Sequence, residues 1–441
     1  MNSQTHPPRS IQTWADWEAA LESNSCTEAE IALVAACREG RQCELGDGTR
    51  PDTPTPQNQI GADLLRYLIK GGCDECDLHD WGVDLVGAYI TGALDLRLVK
   101  ATGVTGLINC HFDSSINAMN AKFDFLNLSG SSCLGLFAQG VEVKGSVFIK
   151  AGFAAKGAVS LASAVIRGQL NCDGGCFENA EGDALDAQGA EVKGDVFLRN
   201  GFVAKGEVSL AGAVIGGQFS CSGGCFESPK RQALYAQSVE VKGDVFLRKG
   251  FTAKGAVSLA GAVIGGQFAC TGGRFENAGG DALAAEDLEV KGGVFLRDGF
   301  AAKGTVSLSS AVIGGQLDCD GGSFENAGGR ALNAQNVEVN SLIWRNVETC
   351  LGSINLAGAR LQNLTDAADS WDKVDEIFLD GLSYQTIHGP LDTEMRLNWL
   401  GNACTHDGSF SPQPYEQLAW TLKRMGQSEQ RRVILIEKEK R

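Results

Sequence analysis

From Trp81 onward, apolar and polar residues alternate in short runs broken by glycines, and from near Val141 the runs return at a fixed interval of 49 residues. Four copies align on one segment: LASAVIRGQLNCDGGCF from Leu161, LAGAVIGGQFSCSGGCF from Leu210, LAGAVIGGQFACTGGRF from Leu259 and LSSAVIGGQLDCDGGSF from Leu308. Within the third unit, Leu259, Ile264, Phe268, Cys270 and Phe275 are paralleled by Leu283, Val290, Val294, Leu296 and Phe300, so each unit splits into two similar halves. Alternation with period two places these residues on the inner face of short strands. The GG, KG and DGG corners recur too closely for a helix of 3.6-residue period. Each half is then one coil, and stacked parallel strands joined this way favour a right-handed wind.

The predicted fold class is mainly β: a right-handed parallel β-helix, a solenoid of pentapeptide-like type, with α-helical caps at both ends. Three segments follow. Residues 1–80 form a helical N-terminal cap. Within it Thr27 opens a T-E-A-E capping box before IALVAACRE, and the loop GDGTRPDTPTP leads to IGADLLRYLIKGG, a helix stopped at Gly71 and Gly72. Residues 81–365 form the β-helix, of about twelve coils. Residues 366–441 begin with one last strand segment and continue as helices, with Pro414 at a helix start and Gly426 as a break. Helical ends cover strand edges that otherwise invite aggregation.

Glycine is abundant, 57 of 441 residues, and falls at the corners of the repeat without a Gly-X-Y period. Net charge is −16, yet residues 81–365 hold 27 acids and 23 bases, so the β-helix body has no general attraction to nucleic acid. The opening MNSQTHPPRS is polar, and no run of about 18 apolar residues follows, so no transmembrane segment is expected; peripheral membrane contact stays open. With an odd count of 15 cysteines, this predicts a reducing, cytoplasmic setting and mostly buried thiols.

LLRYLIKGG, GVDLVGAYITGALDL, the VKGDVFLR and GGQFxCxGGxF repeats and the tail PQPYEQLAWTLKRMGQ together resemble a bacterial family of pentapeptide-like β-helix proteins, often labelled "membrane-associated oxidoreductase". The resemblance spans nearly the whole chain and implies a bacterial source and a β-helix with helical ends. It transfers no catalytic residue. The GG pairs sit at β-turn corners rather than in a strand-to-helix GxGxxG, so the residues carry no dinucleotide site.

Candidate chemistry is sparse. Cys73, Cys76 and His79 could supply three metal ligands, although acidic neighbours and the lack of a second CxxC favour loop residues. The pairs Cys172/Cys176 and Cys221/Cys225 look like ligands, but Arg274 and Ser323 replace the second cysteine in the later copies. Cys172, Cys221, Cys270 and Cys319 therefore form a column of small buried side chains. Asp318 and Asp320 put two carboxylates on one strand face in one coil alone, the spacing of a carbohydrate-active pair. Outward charges are more regular. Glu142, Glu191, Glu240, Glu289 and Glu338 stand beside Lys144, Lys193, Lys242 and Lys291; Lys150, Arg199, Arg248 and Arg297 form a second basic column, and Lys156, Lys205, Lys254 and Lys303 a third. They read as a solubilising face, or as a docking strip for an acidic partner.

No cofactor, metal or catalytic group is expected. The function that fits is a non-enzymatic interaction or scaffold protein: a rigid β-helix whose helical ends bind a protein partner. The contact is expected at Trp399, Tyr415 and Trp420 with Lys423, Arg424, Arg431 and Arg432, joined by the Arg199–Arg297 and Lys205–Lys303 columns. Other classes are an effector or protease substrate in a stress or defence pathway, cleaved at GDGTRPDTPTP, a DNA-mimic regulator of a nucleic-acid enzyme, and a carbohydrate-active β-helix enzyme.

Overall fold

The structure, a computed structural model, describes residues 10–72, 78–405 and 409–441. The chain is mainly β, its parallel strands forming a β-solenoid of about 14 turns with a few helices at the two termini. It divides into two compact units, Met1–Gly206 and Glu207–Arg441.

The N-terminal unit opens with α1 (Trp14–Glu22) and α2 (Glu28–Glu39), each started by a reciprocal capping box, Thr13 with Asp16 and Thr27 with Glu30. Gly40 ends α2 in the left-handed region, and α3 (Ala62–Ile69) follows Gly61. The solenoid begins earlier than the alternating pattern does. Cys43–Glu44 pairs in parallel with Leu85–Val86, and Gln59–Gly61 with Tyr89–Thr91, so the segment read as a helical cap also supplies two strands. The strands themselves carry too few residues to show a period. The loop between them is fastened: Arg50 Nη1 donates to the carbonyls of Gly130 and Gly152 at 2.8 and 3.0 Å, and Asn109 Nδ2 donates to Gly48 O at 2.9 Å.

In the C-terminal unit the coil length alternates. Val214 pairs with Glu240 and Glu240 with Val263, steps of 26 and 23 residues that together give the 49-residue repeat. The longer coil carries an excursion. Between Glu276, opposite Lys303, and Asp281, opposite Thr305, one strand advances five residues while its neighbour advances two. Asn277 Nδ2 ties the excursion by donating to Asp281 O at 2.9 Å, and Asn326 does the same to Arg330 O at 3.0 Å. Beneath the first lies Gly304, at φ +125°, where a Cβ would stand 2.5 Å from Asn277 O. Only glycine fits that position.

Inward residues stack by type. Phe226, Phe251, Phe275, Phe300 and Phe324 continue into Trp344, Trp371 and Trp399 with ring centroids 5.2–5.8 Å apart. Each such pair is worth about 0.5–1.5 kcal/mol beyond its buried area. Phe153, Phe177 and Phe202 make the same ladder in the N-terminal unit, at 5.6 and 5.1 Å. A second interior column places the buried Leu247 and Leu296 in the coils before and after Cys270.

The segment after Leu364 is more than one last strand. It holds α4 (Ala368–Trp371), the strands Ile377–Phe378 and Thr386–His388, α5 (Thr393–Gly401) and the strand Ala403–Cys404, which pairs with Ile377–Phe378. Then α6 (Gln413–Arg424), with Pro414 in its first turn, and α7 (Ser428–Lys440) form a hairpin broken at Gly426. The inner face of α6, Tyr415, Leu418, Ala419 and Leu422, is buried, and Gln417 Nε2 and Thr421 Oγ1 donate to Tyr384 O at 2.7 and 3.1 Å. The helix thus satisfies a backbone acceptor on the sheet it covers. Among the described residues no helix is long and apolar enough to cross a membrane.

Candidate functional site

Most residues of the basic columns expected as a docking strip contact neighbouring side chains on the outer face. Each Arg of VFLR follows a Phe by two residues, which puts both on the same outward face of the chain. Arg199, Arg248 and Arg297 accordingly lie 3.6, 3.8 and 4.9 Å over Phe197, Phe246 and Phe295. Arg199 also pairs with Asp173 at 2.8 Å, and Arg297 with Asp318 at 2.8 Å. Lys205 pairs with Glu178 at 2.6 Å and Lys254 with Glu227 at 2.7 Å. Lys303 stands in register between Glu276 and Glu325. The glutamates were missed in the sequence although the signal is regular: each follows the Phe of GGxF, 27 residues before its lysine. The third column is therefore a ladder of alternating sign.

The other candidates are also placed. Cys73 and Cys76 lie outside the described residues. His79 is described: its ring closes over Gly40 at the end of α2, and its Nδ1 accepts from the Trp81 N–H at 3.0 Å. Cys172, Cys270 and Cys319 are buried, and burial pushes all three thiols well up from their ordinary range. Burial likewise raises the half-buried Cys176, beside Glu178. Asp318 accepts from Arg297 and from Gln316 Nε2 at 3.2 Å, and Asp320 accepts from Arg345 at 2.7 Å and Asn346 at 2.8 Å. Burial alone would raise Asp320; the bonds from Asn346 and Arg345 outweigh it and hold the carboxyl below its usual range. A general acid needs the opposite shift. Among the described residues no three His, Cys, Asp or Glu side chains converge on a metal position.

At the C-terminal end the expected contact residues separate into two sets. Trp399 and Tyr415 are each 3% exposed, Trp399 as the last rung of the aromatic ladder and Tyr415 on the inner face of α6. Packing on the last turns removes both from any contact surface, which corrects the sequence expectation. Trp420, Lys423, Arg424 and Arg432 are exposed and Arg431 half-exposed. Arg424 lies 4.8 Å over the Trp420 ring.

Trp420, 47% exposed, is also one wall of a groove of about 840 Å³ where α6 meets the sheet. Its floor is Ile313, Val339, Leu361 and Tyr384. Along it run Val312, Glu338, Arg360 and Ser383, then Gly314, Asn340, Gln362 and Gln385, with Gln417 facing them from α6. Glu338 and Arg360 form an ion pair. Tyr384 has its phenol buried without a hydrogen-bond partner among the described residues, and burial raises its pKa. Of the residues lining the groove, only Trp420 and Glu338 were singled out from sequence, although VEVN at 337–340 departs from the VEVKG of the repeat.

The fold is compatible with a pentapeptide-like β-helix, but no family model matches the chain, and neither do curated proteins or solved structures.

Proposed function

We propose that this chain is a non-enzymatic binding protein, in which the solenoid is the scaffold and the α6–α7 hairpin engages a protein partner. The observation that carries this reading is the outer face of the hairpin. In α7 only Ile434 is fully buried, while Val433 and Ile436 are 42% and 45% exposed beside Arg431 and Arg432, and Lys423 and Arg424 project from α6. An apolar centre flanked by Arg431 and Arg432, with Glu429, Glu437 and Glu439 also on α7, fits a protein surface that has an apolar core and complementary charges around it. The pairing of the Arg199–Arg297 and Lys205–Lys254 side chains with neighbours on the same outer face supports moving the contact away from the repeat. A bacterial source, a cytoplasmic location and kinship with pentapeptide-like proteins belong to this reading and rest on the sequence motifs alone.

The test is cross-linking in the native host, with the cross-linked peptides mapped on the chain. Partner cross-links should fall on 423–440 and be lost in the double variant R431E/R432E. Cross-links that persist in that variant, or fall on the repeat, refute it.

A further inference from the structure

The outer column containing Lys242 and Lys291 changes chemistry where the groove opens. In register along the sheet it reads Lys242, Gly265, Lys291, Gly314, Asn340, Gln362 and Gln385. Three successive amides replace the alternation of lysine and glycine. Asn340 Nδ2 reaches Gly314 O at 3.4 Å, and the side chains of Gln362 and Gln385 make no hydrogen bond among the described residues. All three are exposed in the groove beside Trp420. The one pair of charges on that wall, Glu338 and Arg360, is mutually neutralised.

We infer that the groove binds an extended, neutral oligosaccharide. Side-chain amides both donate and accept, so each can satisfy a hydroxyl, which does the same. Trp420 offers a flat apolar surface to the C–H face of a pyranose ring, and Arg424 covers that indole without lining the groove. The register then decides between chain types. Amides on neighbouring parallel strands are about 4.8 Å apart, close to the advance of one sugar unit in an extended glycan. An extended peptide advances about 3.4 Å per residue and repeats a face every second residue, which is out of step with the ladder. A charged glycan finds no uncompensated charge on the wall. At about 840 Å³ the groove is of ordinary ligand-site size.

The experiment uses the full chain against a panel of α- and β-linked neutral hexaoses, with hexagalacturonate and an extended Gly-Ser peptide as comparisons, read by calorimetry and tryptophan fluorescence. At least one neutral hexaose should bind and perturb the fluorescence. Trp420→Ala should weaken it at least tenfold, and the pair Gln362→Ala/Gln385→Ala by roughly tenfold, about two lost hydrogen bonds. Unchanged circular dichroism shows that both variants are folded. The R431E/R432E variant should bind the same glycan as tightly as the parent, which separates this site from the hairpin contact. Absence of binding across the neutral panel, preference for the uronate or the peptide, or a glycan affinity indifferent to both groove variants overturns the inference.

Discussion

Arg396 holds Asp366 by two hydrogen bonds, Nη1 to Oδ2 at 2.6 Å and Nη2 to Oδ1 at 2.8 Å, with both side chains out of contact with solvent. Trp371 Nε1 also donates to Asp366 Oδ2 at 2.8 Å, and Arg396 Nε donates to Pro390 O at 2.9 Å. The pair fixes α5 against the last turns, next to the Trp371–Trp399 contact that ends the aromatic ladder. Removing one partner strands a buried charge, so Arg396→Met should cost about 3–5 kcal/mol in urea unfolding. Arg396→Met with Asp366→Asn should recover part of that loss. A double variant no better than the single one contradicts the charge argument.

The excursions in the long coils make a second demand on particular residues. Gly304→Ala places a methyl against the carbonyls of Asn277 and Gly280, 2.5 and 2.7 Å from its Cβ, at φ +125°. A loss of about 1–3 kcal/mol is expected by thermal unfolding. Gly299→Ala, at φ +82° with open space around its Cβ, should cost less. Equal losses at the two sites contradict the close-approach explanation.

Burial pushes the thiols of Cys110, Cys133 and Cys350 up to about 12. A thiol raised in the folded state contributes fully below the ordinary value near 9 and less as pH climbs from there toward 12, because only the unfolded chain releases its proton. Two results follow. A disulfide reagent at pH 8 should leave these three thiols unmodified until denaturant is added. The stability gap between the parent and Cys350→Ala should narrow as pH rises above about 9. A gap that widens contradicts the burial.

The loop at 46–56 is held by Arg50 on the carbonyls of Gly130 and Gly152. Arg50→Ala should speed proteinase K cleavage within this loop several-fold with little change in circular dichroism. An unchanged cleavage rate means that the arginine does not fasten the loop, and keeps an unassisted cleavable linker in play.

The coil was legible because its demands repeat: Phe275 and Phe300, or Leu259 and Leu283, are written at every turn, and the capping box of Thr27 and Glu30 is local. What the sequence hid depends on partners one coil away. The pairing of Lys254 with Glu227 spans 27 residues, and the Asp366–Arg396 pair spans 30. Neither is visible to a local pattern. The strands Cys43–Glu44 and Gln59–Gly61 are too short to show alternation and are fixed only by pairing with the first full turn. Trp399 was expected at the contact surface, and only the stacking on Trp371 shows that it ends the ladder instead. The 26- and 23-residue coils were concealed by their constant sum, since a 49-residue period divides as readily into near-equal halves.

The most direct test of the division between scaffold and site compares two charge reversals for their effect on the cross-linked partner. R248E/K254E disturbs the repeat, and R431E/R432E disturbs the hairpin. Affinity measured with the purified partner should fall at least tenfold for the hairpin variant and stay within about twofold of the parent for the repeat variant, both with unchanged circular dichroism. The opposite order, with the repeat variant losing the partner and the hairpin variant keeping it, would contradict the assignment of function to the end of the solenoid.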